Sequence, residues 1–110
     1  MNPMHKHLKI LLAAMIGMAG TAVMAQDIMA EGRQLFTQTA VPACAVCHTL
    51  QHAGATGEVG PVLDELKPDA SRVEKAIRNG IGQMPVIANL SEAQIKLLAQ
   101  YVAAVSGAGK

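Results

Sequence analysis

Two cysteines and a histidine, in the run Cys44-Ala45-Val46-Cys47-His48, carry the most specific chemistry in this chain. The C-x-x-C-H spacing is the attachment signature of a c-type haem. Cysteines one helical turn apart can form thioether bonds to both vinyl groups of one haem. The adjacent histidine then lies under the iron as its proximal ligand. A rigid planar cofactor requires all three residues at this spacing. C-x-x-C alone also reads as a thioredoxin-like redox pair or as half a zinc site. A zinc site needs a second ligand pair, and past the apolar N-terminus His52 is the only other candidate. A thioredoxin-like motif wants a preceding strand and a βαβ pattern, and neither is visible. The sequence favours one haem c, bound through Cys44 and Cys47, with His48 on the iron.

The other axial position decides what such an iron can do. Past the N-terminal leader the chain keeps two methionines, Met29 and Met84. Met29 lies on the apolar side of an amphipathic segment and reads as core packing. Met84 lies in Ile81-Gly82-Gln83-Met84-Pro85, a glycine-rich loop between two helical patterns. Such a loop can bring a side chain over the distal haem face, with Pro85 stiffening it. His52 is a rival, but only four residues after His48 it is expected on the same side of the same short helix. A solvated loop histidine is the better reading. A His48/Met84 pair favours Fe(II) and raises the potential relative to two histidines. With both axial positions filled, the iron exchanges electrons and does not readily bind substrate or O₂.

The positioning elements are helical. Asp27 to Thr37 has Ile28, Met29, Leu35 and Phe36 as apolar residues with Gly32 between them, and Val41-Pro42 stops it. A short turn of helix carries the cysteines. Gln51 to Gly60 reads as a loop with three glycines, and Val62 to Leu66 as one helical turn. Pro68-Asp69-Ala70-Ser71 opens a helix in which Val73, Ala76 and Ile77 share a face. Arg72, Glu74, Lys75 and Arg78 read as its solvated side, and Asn79-Gly80 as its stop. Ser91-Glu92-Ala93-Gln94 is a capping box, with Leu90 and Ile95 placed as a hydrophobic staple. Ile95, Leu98, Val102 and Val105 then form one stripe as far as Ser106-Gly107. No strand alternation and no internal repeat appears. The expected fold is all-α, a single domain.

The N-terminus is a different kind of segment. Met1 to Lys9 is basic, Ile10 to Ala25 is apolar or small, and Val23-Met24-Ala25 ends on a small residue. This order is that of a cleaved secretory signal peptide over residues 1–25. Its apolar run falls short of the ~20 residues that span a bilayer. Residues 26–110 keep seven of the nine Lys/Arg against all eight Asp/Glu, a net charge of −1. No basic stripe marks a nucleic-acid partner. So short a chain buries little surface and usually needs a staple. With Phe36 and Tyr101 as its only aromatics, it would take much of its core from the haem.

These residues resemble the class I c-type cytochromes of the small bacterial mono-haem type. The likeness runs from Asp27 to Gly107. It rests on Cys44, Cys47 and His48 near the start, Gly60-Pro61, and Met84-Pro85. The resemblance implies a class I cytochrome c fold, three to five short helices around one haem. It implies that the Pro61 carbonyl accepts the Nδ1 hydrogen bond of His48, fixing the ring. It also implies that Gly32 and Phe36 meet Leu98 and Tyr101 where the terminal helices cross. A narrower likeness covers Gly60 to Asp69 and Arg78 to Pro85. These stretches are similar to small cytochromes that accept electrons from periplasmic molybdenum sulfite dehydrogenases.

The expected function is a periplasmic electron carrier, not an enzyme, with no catalytic residues. Its redox partners would be a periplasmic dehydrogenase as donor and a terminal oxidase or another cytochrome as acceptor. It would meet the membrane only through partners. The alternatives are a haem subunit held permanently in an oxidoreductase complex and a ligand-binding haem sensor. The sensor needs a labile sixth position, which Met84 opposes, and an output domain.

Overall fold

The computed structural model describes residues 27–108, and the leader expected over 1–25 lies outside the described residues. Helix α1 covers residues 27–34 and widens into a π-helical turn, Leu35–Thr39. The sequence pattern did not show this widening. Thr37 donates its hydroxyl to the Arg33 carbonyl at 2.8 Å, occupying an acceptor of the regular ladder, a competition that often bends helices. The Ala40 N–H instead closes on Leu35 O at 3.1 Å. In this turn the adjacent Leu35 and Phe36 are both buried.

Helix α2, Cys44–Cys47, is a single turn. A ladder of two-residue strands follows, β1 Thr49–Leu50 against β2 Ala55–Thr56, joined through a 3₁₀ turn at Gln51–Ala53. The reading of 51–60 as plain loop is corrected here. Strands of two residues are too short to show alternation. The Gln51 N–H donates to the Asp64 carboxylate at 3.0 Å, anchoring this hairpin to α3, Leu63–Leu66.

Helix α4, Ala70–Asn79, starts on Asp69, whose carboxylate accepts the Arg72 N–H at 2.8 Å. It ends at Gly80, whose φ of 68° favours glycine. The expected solvated side of α4 is exposed at Arg72, Lys75 and Arg78 and half-buried at Glu74. Arg78 forms a two-pronged ion pair with Glu92, both contacts at 2.7 Å, and so ties α4 to the first turn of α5. Helix α5, Glu92–Ser106, has the expected capping box: Ser91 Oγ accepts the Gln94 N–H and Gln94 Oε1 accepts the Ser91 N–H. Ile95, Leu98 and Val102 are buried on one stripe.

Five α-helices and one small hairpin among the described residues make a mostly helical arrangement, as the resemblance to class I cytochromes c implies. The two terminal helices cross at Gly32, where a Cβ would overlap Cβ and Cγ of Tyr101. Tyr101 is 0 % and Phe36 1 % exposed. No described helix is long and apolar enough to cross a membrane.

Candidate functional site

Cys44 opens α2, Cys47 closes it, and His48 leaves it in extended backbone with φ −118° and ψ 137°. The three side chains line one cavity of about 520 Å³, a size usual for small-molecule sites. Pro61 and Met84 line the same cavity. The structure thus brings together all five candidate residues, from three separated segments. The remaining walls are mostly apolar, including Phe36, Leu63, Ile77, Ile87, Leu98 and Val102.

His48 is held from two sides. Its Nδ1 lies 2.8 Å from the Pro61 carbonyl oxygen. A carbonyl only accepts, so Nδ1 carries the proton and donates it. Nε2 then keeps the lone pair that a metal needs. Gly60 presses on the ring, where a Cβ would come within 2.5 Å of Cε1. Its N–H donates to Cys47 O at 2.7 Å. Gly57 approaches the backbone of the motif as closely: a Cβ there would lie 2.7 Å from Ala45 O and His48 N. The Thr49 hydroxyl donates to Gly57 O at 2.9 Å. Residues 57–60 are therefore a brace behind the motif. The sequence showed the glycines but not this contact.

Burial pushes the free Cys44 thiol up to about 11, with the neighbouring Cys47 adding to the shift and a backbone hydrogen bond opposing it. A reactive redox pair has the opposite property, a lowered thiol pKa. Among the described residues, no three His, Cys, Asp or Glu side chains converge as a zinc site requires. The donor set and the apolar cavity fit a haem.

Met84 is presented on a closed turn, not a loose loop. Ile81 N–H donates to Met84 O at 3.0 Å and Met84 N–H to Ile81 O at 2.9 Å. Gly82 takes φ 56° inside the turn with nothing near its missing Cβ, so backbone conformation alone requires glycine there. Ile87 N–H then donates to Ile77 O at 3.0 Å, fastening the exit to α4.

The two rival ligands lie elsewhere. Met29 is partly buried against the hydrophobic core and does not line the cavity. His52 does not line it either, and it is not on the helix of His48, which ends at Cys47. It is exposed, as expected, and its Nδ1 shares a hydrogen bond of 2.8 Å with the Tyr101 hydroxyl. That contact lets the phenol of a fully buried ring keep a polar partner. Arg72 and Lys75 are exposed, as read from the sequence, and they also line the cavity. They are the charged side chains of its wall, and no carboxylate accompanies them.

The crystal structure of the c-type cytochrome SorU from Sinorhizobium meliloti is similar to this chain, with a TM-score of 0.72 and 52% sequence identity. The match covers 74% of this chain and 94% of that one. No curated protein sequence gives a match. The family described as cytochrome c oxidase, cbb3-type, subunit III matches residues 27–102. The chain belongs to this family: it is a c-type cytochrome, an electron-transfer protein that carries covalently bound haem.

Proposed function

We propose that the chain is an exported carrier of single electrons, cleaved after Ala25 and working in the periplasm with one haem whose iron is held by His48 and Met84. The observation that carries this reading is the common cavity. Cys44, Cys47, His48, Pro61 and Met84 all line it, and His48 is already held in the tautomer that frees Nε2. The haem, when bound, supplies an iron that accepts and releases one electron. Cys44 and Cys47 would hold it covalently, and Pro61 would keep the His48 ring aimed. The apolar walls would pack against the haem faces. Arg72 and Lys75 offer two positive charges to the two haem carboxylates.

Val59 and Ile81 on the cavity wall are 67 % and 69 % exposed, and Leu66 is 37 % exposed. A few apolar side chains at the mouth suit a small, short-lived docking patch. The likeness of residues 60–69 and 78–85 to the acceptors of sulfite dehydrogenases proposes such an enzyme as donor. A second reading, a permanently bound haem subunit, is favoured by the oxidase subunit in the family's description. Gel filtration of a native extract separates the two: a carrier elutes as a small protein, a subunit in a large complex.

The ligand assignment has a direct test. Oxidised protein should show the weak long-wavelength charge-transfer band of an Fe(III)–thioether bond. Met84→Ala should abolish it, admit carbon monoxide to the reduced iron, and lower the potential by a sizeable part of the ~0.8 V that axial ligands span. If Met29→Leu removes the band and Met84→Ala does not, the distal ligand is Met29. Carbon monoxide binding by the unaltered protein would favour the ligand-binding alternative.

A further inference from the structure

Among the described residues, one side chain hydrogen-bonds the chain that enters the cysteine motif to the chain that leaves Met84. Asn89 Oδ1 accepts the Val41 N–H at 3.0 Å, and Asn89 Nδ2 donates to the Thr39 carbonyl at 2.8 Å. The partners lie 48 and 50 residues away in sequence. An N–H requires an acceptor and a carbonyl a donor, so the two contacts fix the orientation of the amide. They also demand a side chain offering both functions, which at this length is asparagine alone. Asn89 is exposed, so packing does not explain its place.

The other backbone hydrogen bonds of the Met84 loop do not reach the motif. The paired bonds between Ile81 and Met84 are internal to the turn, and the bond from Ile87 goes to α4. Yet a haem bonded to Cys44 and Cys47 moves with the chain around residue 44. A ligand on another segment must be kept in register with that chain. We propose that Asn89 is a positioning residue for the distal ligand: its amide locks the Met84 segment to residues 39–41, and so holds the thioether on the iron. This rests on the reading of Met84 as that ligand. The competing role is plain capping of the turn that ends at Thr39, which would support the whole fold and not the iron bond in particular.

The test uses the purified, oxidised holoprotein and two readings during heating: the Fe(III)–thioether band and the far-ultraviolet signal of the helices. Asn89→Asp keeps an acceptor and loses the donor, Asn89→Leu loses both, and Asn89→Gln keeps both on a longer stem. In the Asp and Leu variants the band should vanish at a midpoint lowered by about 4–8 °C more than the helical midpoint, a shift on the scale of one lost hydrogen bond in a small domain. Asn89→Gln should fall between these and the parent, and it is read alone if the other two do not fold. Equal lowering of both midpoints, or no change in either, overturns the proposal and leaves Asn89 a cap. Met84→Ala is run beside them. A band that survives in Met84→Ala removes the ligand reading and this proposal with it. A band lost there, with both midpoints moving together in the Asn89 variants, removes this proposal alone.

Discussion

Replacing Cys44 and Cys47 together by serine should yield a colourless and largely unfolded chain. The haem would then have no covalent hold, and the cavity of about 520 Å³ would lose what fills it. At about 24 cal/mol per Å³, an empty cavity of that size corresponds to about 12 kcal/mol, an upper bound because this one opens to water. The whole stability of a domain is about 5–15 kcal/mol. Phe36, Ile77, Leu98 and Val102 line the cavity and also belong to the buried core, so its collapse and the loss of the core are one event. Single replacements leave one thioether and should impair maturation less. The check is the visible spectrum and far-ultraviolet signal of the purified variant. A folded, coloured double variant would show that neither thioether is needed. On the parent protein, acid–acetone extraction should leave the colour on the polypeptide.

Gly32→Val should lower the melting temperature by roughly 5–20 °C while leaving the haem spectrum of the folded fraction nearly unchanged. A Cβ at this position already overlaps Tyr101. Tyr101 has no room to retreat, since it is 0 % exposed and its hydroxyl is engaged by His52. The helices must separate or distort, an overpacking cost of ~1–3 kcal/mol, and in a domain this small each kcal/mol is worth about 4–8 °C. The crossing is not part of the cavity wall at Gly32 or Tyr101, so the iron should not sense it directly. A calorimetric scan decides it. An unaltered melting temperature would mean that α1 and α5 do not meet at Gly32.

The candidate haem-binding residues were legible because a rigid ligand imposes fixed spacing: C-x-x-C-H admits few other meanings. Caps were legible because their chemistry is local. Ser91 acts within three residues of itself and caps where the sequence put it, and Asp69 caps the helix that its tetrapeptide was read to open. What stayed hidden depends on residues distant in sequence. Nothing near Asn89 announces partners at Thr39 and Val41. The glycines at 57 and 60 read as loop composition, although each is glycine because another backbone or the His48 ring occupies its side-chain space. Arg72 and Lys75 are exposed as helical periodicity indicates, but periodicity does not identify the rim of a cavity, which they also line. His52 looked unattached because its partner, Tyr101, lies on the last helix.

The crossing at Gly32 also bears on the order in which the chain acquires structure. Ribosomes and export machinery deliver a polypeptide from its first residue onward, and many domains begin to condense as they emerge. Here the first helix buries Phe36 and seats Gly32 against side chains of α5, the last element. Until Leu98 and Tyr101 are available, α1 has no such surface to fold upon. Its ladder is also too short to persist unaided. The terminal contact is a long-range one that cannot form before α5 has been made.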